Sequence, residues 1–375
     1  MTDKRRVRLG MVGGGQGAFI GAVHRIASRI DDRFELVAGA LSSDGARAAA
    51  SAADLGIAAD RSYASYAAMA VAEAARADGI DAVAIVTPNH VHAGPAIAFL
   101  NAGIHVICDK PLAATQADGA AIAAAVAASQ AHFILTHNYT GYPLMRQARQ
   151  MVADGKLGAI RVVQAEYAQD WLTETIETTG QKQAAWRTDP GQSGAGAIGD
   201  IGTHAFNLLS FVTGLRADAL AADLHSFGAG RRVDDNAHIM LRFQGGARGM
   251  VWASQVAPGN ENGLRLRVYG DKGGIEWGQE NPNLMTYAPF GQPKQLLTRG
   301  GAGLGGNGGQ WTRIPPGHPE GYLEGFATLY NDAADLILGL GDGALLPGIA
   351  AGLDGMWFID ACQRSSAADG AWIRR

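Results

Sequence analysis

Cysteine is nearly absent: Cys108 and Cys362 are the two in 375 residues. Two exclude a disulfide scaffold, and without paired spacing they exclude a cysteine-based zinc site. A reducing, cytoplasmic setting is the expectation that follows. No uninterrupted apolar run approaches the roughly 20 residues that a membrane-spanning helix needs. The charged start, Met1 to Arg8, runs through a few apolar residues into glycines, so no signal peptide is expected there. Charge of one sign is lacking too. A net charge of −4 offers no electrostatic basis for nucleic acid or an anionic membrane as partner. What is plentiful is apolar residues, 47%, and glycine, 52 residues. The chain is long enough for two domains with ample cores.

From Val7 to about His137, short apolar runs alternate with alanine-rich helical stretches. Arg8 to Val12, Phe34 to Leu41, Asp81 to Thr87, His105 to Cys108 and His132 to Thr136 read as strands apolar on both faces, hence as a buried parallel sheet. Thr115 with Asp118, and Ser65, have helix-capping spacing. The expected fold class is α/β: a doubly wound Rossmann sheet over residues 1–137. After it the pattern changes to alternating runs joined by short turns, such as Gln244, Gly245, Gly246 and Asp271, Lys272, Gly273. Residues 138–375 are therefore expected to form an α+β domain on a large, open, mostly antiparallel sheet whose free face suits oligomerisation. The glycine-dominated segment Arg299 to Gln310 reads as a loop or arm, and Gly321 to Leu338 as the last helical region.

Four patterns carry chemistry. First, Gly13, Gly14, Gly15 and Gly17 follow a strand and precede a helix: Gly13 suits a tight turn, Gly15 lets backbone approach a pyrophosphate, and Ala18 takes the close-packing position. The second strand then runs into Ser42, Ser43 and Asp44. Asp44 suits a ribose hydroxyl and NAD, whereas Ser42, Ser43 and Arg47 suit the 2′-phosphate of NADP; the balance tilts to NAD. Second, Thr87, Pro88, Asn89, His90, Val91 and His92 lie at the carboxyl end of a strand, where open α/β sheets bind ligands, or simply make a proline turn ahead of a helix. Third, Asp109, Lys110 and Pro111 occupy the equivalent place after the next strand. Lys110 reads either as a solvated surface charge or, from its place at the cofactor-side edge of the sheet, as an ammonium that hydrogen-bonds a reacting oxygen. Fourth, Asp200 and His204 are four apart and share a helix face. They read either as a helix cap with a core histidine or as an acid orienting a hydroxyl while the imidazole takes its proton. No third ligand lies at a telling spacing, so no metal is expected. Arg187 and His318, in loops that flank these elements, read either as hydroxyl-binding residues or as ordinary surface residues.

In this order the motifs resemble the glucose-fructose oxidoreductase / inositol dehydrogenase / rhizopine-catabolism (Gfo/Idh/MocA) family. The resemblance runs over nearly the whole chain through the glycine turn, Thr87 to Asn89, Asp109 to Pro111, Gly155 to Gly158, Trp186 to Ser193 and Asp200 to His204. It implies an NAD(P)-dependent dehydrogenase of sugars or cyclitols that pairs or forms tetramers through its C-terminal sheet, the tetramer favoured. It implies that Lys110 contacts nicotinamide and substrate, that Asp200 orients the substrate and that His204 is the catalytic base. Gln16 and Asn138 join the implied cofactor contacts, and Tyr142 and Trp171 the implied substrate contacts. Two positions depart from the family pattern: Asp109 stands for the usual Glu, and Asn207 stands where an Asp often follows the histidine. The sections His137 to Pro143, Asp170 to Leu172, Trp186 to Asp189 and His318 to Tyr322 look most like the scyllo-inositol dehydrogenase branch. The same scaffold also accommodates an NAD-retaining glycosidase or epimerase working through a transient keto-sugar, and a non-catalytic sugar or NAD sensor. Retention of both Lys110 and His204 argues against the sensor.

Overall fold

The structure, a computed structural model, describes residues 5–302 and 307–375. Residues 303–306, within the glycine-dominated segment, and the first four residues of the charged start lie outside the described residues. In chain order the N-terminal part runs β1 (Val7–Gly13), α1 (Phe19–Ile30), β2 (Phe34–Ala40), α2 (Gly45–Asp54), α3 (Tyr66–Ala75), β3 (Ala82–Val86), α4 (Ala93–Asn101), β4 (His105–Cys108), α5 (Gln116–Ala128) and β5 (Phe133–Leu135). The five strands form a parallel sheet in the order β2-β1-β3-β4-β5. Strands such as β3, buried at every residue, need cover on both faces, which alternating helices supply. Gly13 pairs with Val86 and Ile85 with Cys108, so the glycine turn, Thr87 and Asp109 leave neighbouring strands at one sheet edge. Ser65 and Thr115 cap α3 and α5, accepting from the N–H groups of Ala68 (3.2 Å) and Asp118 (3.1 Å), as their spacing predicts.

There follow α6 (Pro143–Ala153), β6 (Ile160–Ala168), α7 (Lys182–Arg187), α8 (Pro190–Ser193) and α9 (Thr203–Thr213), and then seven strands: β7 (Ala217–His225), β8 (Asn236–Phe243), β9 (Arg248–Ser254), β10 (Gly263–Gly270), β11 (Gly273–Gly278), β12 (Leu284–Pro289) and β13 (Gln295–Thr298). The chain ends with α10 (Asn307–Gln310), α11 (Tyr322–Ile337), α12 (Ile349–Ala367) and β14 (Ile373–Arg374). Gly321 to Leu338 is thus not the last helical region, because α12 follows it. Its small residues, Ala350, Ala351, Gly352 and Gly355, blur the apolar periodicity that would announce it.

Two compact units divide the chain. One holds the described residues up to Asn138 together with Tyr322–Leu353; the other holds Tyr139–Gly321 and Asp354–Arg375. Chain order alone assigns Tyr322–Leu353 to the C-terminal part, yet Phe326, Tyr330 and Ala334 pack into one core with Leu9, Met11 and Val23. The second unit is built on a nine-stranded sheet, β13-β12-β11-β10-β6-β9-β8-β7-β14, in which β6 and β9 are the parallel pair. Its inner face, with Val163, Ala165, Val251 and Leu266, packs with Leu144 of α6 and Leu208 and Leu209 of α9. Full burial of each such leucine is worth about 1.5–3 kcal/mol. The other face exposes Val162, Met240 and Met250, with Met240 paired across from Met250.

Candidate active site

In the first unit, the turn after β1 has a backbone that suits glycine. Gly13, Gly14 and Gly17 have φ of 78°, 72° and 79°, in the left-handed region that side chains disfavour. A Cβ on Gly15 would lie 2.8 Å from both the Leu41 carbonyl oxygen and Ser51 Oγ. Helix α1 comes closest at Gly21, where a Cβ would fall 2.4 Å from the Gly14 α-carbon. Gly21 is therefore a close-packing position that the spacing did not indicate. Ala18 is the N-cap of α1 and supplies no capping side chain, so the first N–H groups of the helix remain suited to an anion.

Around this turn the expected cofactor residues behave differently from one another. Asp44 caps α2, accepting from the Arg47 N–H at 2.8 Å, while Ser42 Oγ accepts from the Asp44 N–H at 3.1 Å and Ser43 is exposed. Gln16 donates its N–H to Ser51 Oγ (3.0 Å) and its amide to Asp54 (2.7 Å). Thr87 Oγ1 and Asn138 Nδ2 are buried and lack a hydrogen-bond partner among the described residues. Buried polar groups are ordinarily paired with protein, water or ligand. The bare glycine cradle, the open helix end and these two groups fit a dinucleotide.

His92 is a correction. It is fully buried, its Nδ1 and Nε2 each 2.9 Å from a main-chain carbonyl, of Pro111 and Thr87 respectively. Its ring pins the loops after β3 and β4 to each other and is not available to a cofactor. Asp109 Oδ1 accepts from Thr136 Oγ1 (2.9 Å) and from the Lys110 N–H (3.0 Å), and the Lys110–Pro111 peptide is cis. The sequence reading missed His137 as a neighbour of Lys110: burial first, and then the Lys110 charge, push its pKa down to about 3. Its ring is therefore neutral beside the ammonium.

The second unit holds the substrate-side candidates. Residues 198–202 form a π-helical turn that runs into α9, so Asp200 lies inside a wide turn and is not a helix cap. Its carboxylate pairs with Arg187 Nε at 3.3 Å and accepts from Gln255 Nε2 at 3.0 Å. Arg187 also donates to Gln183 and lies over the Trp186 ring at 4.3 Å. Gln169 Oε1 accepts from Trp171 Nε1 (3.1 Å), and Gln169 Nε2 donates to Asn262 Oδ1 (2.8 Å). Asn262 Oδ1 also accepts from Tyr167 OH (2.7 Å). Since that bond uses Tyr167's one hydroxyl hydrogen, Tyr139 is the donor in the 2.6 Å Tyr139–Tyr167 contact. Burial raises the pKa of Tyr139, with a smaller push from Asp200.

His204 is 8% exposed, its ring edge-on to Tyr139 with centroids 4.9 Å apart. Tyr142 stacks on Tyr139 at 5.8 Å and meets Trp277 edge-on at 5.6 Å. Gln255 Nε2 also donates to Gln169 Oε1 at 3.5 Å, so Asp200, Arg187 and Trp171 are joined by one polar network, and His204 and Tyr142 by an aromatic cluster that shares Tyr139 and Tyr167 with it. His318 has no part in these contacts; it is exposed on a loop whose carbonyl accepts from the buried Arg299.

The parallel β6–β9 pair explains the gathering. Ala168 pairs with Ser254 and, on the other side of β6, with Gly263, so Gln169, Gln255 and Asn262 leave the sheet at one edge. Sequence reasoning missed all three, and the available signal was a polar residue just outside each strand. Among the described residues no cluster of three or more His, Cys, Asp or Glu side chains could hold a metal ion, and no helix is long and apolar enough to cross a membrane.

Residues 7–138 match the GFO/IDH/MocA model described as an oxidoreductase family with an NAD-binding Rossmann fold, and residues 145–276 match the GFO/IDH/MocA C-terminal domain. The chain belongs to the Gfo/Idh/MocA family of oxidoreductases. Its N-terminal domain is an NAD-binding Rossmann domain. YfiI of Bacillus subtilis (strain 168), an uncharacterized oxidoreductase, is 35% identical over 98% of this chain and 96% of its own length. A crystal structure of an oxidoreductase from Sinorhizobium meliloti is 54% identical, covers 99% of this chain and 100% of that one, and superposes with a TM-score of 0.91. An inositol dehydrogenase homolog from Azotobacter vinelandii, crystallised with NADH and myo-inositol, is 36% identical, with coverage of 99% and 98% and a TM-score of 0.90.

Proposed function

We propose that this oxidoreductase transfers hydride reversibly between NAD and a secondary alcohol of a cyclitol or pyranose, with scyllo- and myo-inositol the first candidates. The observation that carries the reading is Asp200, held in a π-helical turn between Arg187 and Gln255, four residues from His204 in a chain with an NAD-binding domain. The 36% identity to an inositol dehydrogenase homolog crystallised with myo-inositol supports the substrate class.

When bound, NAD supplies the hydride acceptor, held by the glycine turn, Asp44, Thr87 and Asn138. His204 would take the hydroxyl proton as the carbinol carbon gives up its hydrogen with the electron pair to the nicotinamide, leaving a ketone, and the protonated imidazole would return the proton to solvent. Asp200, fixed on two sides, accepts a neighbouring ring hydroxyl and sets the register of the ring. Lys110 stabilises negative charge developing on the reacting oxygen. Trp171, Tyr142 and Arg187 complete the substrate contacts, and exposed His318 is offered to substrate across a subunit contact. The sheet face bearing Val162, Met240 and Met250 supports assembly sheet to sheet, a tetramer before a dimer, which sedimentation of the purified chain tests. Two free, buried cysteines suit a reducing cytoplasm.

The deciding experiment follows NADH absorbance with NAD or NADP and a panel of inositols, glucose epimers and glycosides. NADH is expected with scyllo- or myo-inositol. His204→Ala should lower turnover about a hundredfold or more and leave NAD affinity unchanged. Full turnover by that variant removes His204 from the chemistry. Tight NAD binding with no NADH from any substrate instead favours a retained cofactor and internal redox.

A further inference from the structure

The connection ahead of β8 carries Arg231, Arg232, Val233, Asp234 and Asp235, and nothing in this run announces a role. In the structure its members contact the segments that bear Trp171, Arg187, Asp200 and Gln255. Arg231, its side chain wholly buried, donates to the Leu172 carbonyl at 3.1 Å and pairs with Glu177 and Asp235 at 2.8 and 2.7 Å, fixing the stretch that follows Trp171. Arg232 lies 3.5 Å from Asp189, two residues beyond Arg187. The Asp235 carbonyl accepts from the Gln255 N–H at 2.8 Å. Asp234 makes three contacts with one stretch: its Oδ1 accepts from the Gly196 N–H (2.9 Å), its carbonyl from the Ala197 N–H (2.8 Å) and its Oδ2 from the Ile198 N–H (2.8 Å). That stretch opens the π-helical turn bearing Asp200. A Cβ at Gly196 would stand 1.8 Å from the Asp234 carbonyl oxygen, so glycine is required for the contact to close.

Helix ends normally satisfy their first N–H groups with a local capping side chain. Here Ala197 occupies the cap position and supplies none. A carboxylate from another strand connection takes its place, with its charge at the end of the helix where negative charge is favoured.

We propose that Asp234 is a positioning residue for the alcohol-handling pair: by capping the π-helical turn from a distance it sets where Asp200 and His204 stand. This rests on the reading that those two residues act on the substrate hydroxyls. A carboxylate that only stabilised the fold would alter melting and leave kinetics alone, whereas one that sets the turn alters turnover in the folded enzyme.

The test is Asp234→Asn in the full chain. Its amide keeps one acceptor and turns a donor toward the other N–H. The expected result is a kcat between about tenfold and a hundredfold lower, a raised KM for the alcohol, an unchanged NAD dissociation constant, and faster hydrogen exchange at the amides of residues 196–204. Ser365→Ala is the matched control. Ser365 is buried, accepts from the Ala222 N–H at 2.8 Å and donates to the Ala371 carbonyl at 2.7 Å, so its loss should lower melting without touching kcat. Asp234→Ser, which keeps one acceptor, carries the same test if the Asn protein does not fold. Folded Asp234→Asn with wild-type kcat and KM, or with unchanged exchange at 196–204, overturns the proposal. If the wild-type protein oxidises no cyclitol or pyranose, the substrate reading fails separately, and the exchange measurement still decides whether Asp234 fixes the turn.

Discussion

Asp44 shows how one carboxylate serves two ends. It closes the first turn of α2 through the Arg47 N–H, and it stands in the place after β2 where dinucleotide folds read the ribose. Serine caps a helix about as well as aspartate but carries no charge to repel a 2′-phosphate. Asp44→Ser is therefore expected to leave thermal stability within about 0.5 kcal/mol and to raise kcat/KM with NADP relative to NAD by about tenfold, measured side by side; an unaltered ratio removes Asp44 from cofactor choice. At this scale the sequence showed the residues whose chemistry is unusual for their place: Lys110 after a strand, Asp200 and His204 four apart, glycines in a turn. It did not show Gln169, Gln255 or Asn262. An amide just outside a strand is ordinary in any sequence, and these three matter only because a parallel pair in an antiparallel sheet brings their ends together.

Elements were legible where hydrophobic period and caps agree. The five parallel strands fall within one or two residues of their apolar runs, and α3 and α5 begin at their capping residues. The π-helical turn was not legible, since one residue too many in a helical turn leaves the apolar pattern of α9 intact. Nor was the placing of α11: amphipathic spacing says that a helix buries one face, not which sheet it buries it against. The approach of α1 to the glycine turn is likewise a tertiary fact with a sharp consequence. Gly21 lies inside a helix, where alanine is ordinarily better by roughly 1 kcal/mol. A Cβ there would meet the Gly14 α-carbon at 2.4 Å and its carbonyl oxygen at 2.8 Å. Backbone cannot step aside as a side chain does, so the clash outweighs the propensity. Gly21→Ala should lower the melting temperature and weaken NAD binding, read by calorimetry and nucleotide titration. A more stable protein with unchanged NAD affinity would show that helix and turn part without consequence.

Across the molecule, titration follows from where the histidines sit. His24, with Tyr330 OH 2.8 Å from its Nδ1, His92 between two carbonyls and His137 beside Lys110 are all buried in the first unit. Burial lowers the pKa of each, that of His137 to about 3. In the unfolded chain a histidine titrates near 6.5. Below that value, and down to each folded pKa, the unfolded state binds protons that the fold refuses, so stability falls as pH falls, by up to about 1.4 kcal/mol per pH unit for each ring. Asp234 works the other way: burial raises its pKa to about 6 against the pull of the Ile198 and Gly196 N–H groups. Between about pH 6 and its unfolded pKa of about 3.9 the folded state therefore gains a proton first. Burial lowers the pKa of the partly buried His105 as well, so four rings against one carboxyl leave a net loss on acidification, confined to the window below pH 6.5 and above the range where ordinary carboxylates titrate. The urea midpoint should thus hold steady from pH 8 to 7 and decline from 6.5 to 5. His137→Gln, which removes one of the refused protons, should make that slope shallower. A midpoint that stays level across the window, or a slope the variant does not change, would mean that these rings admit protons in the folded state.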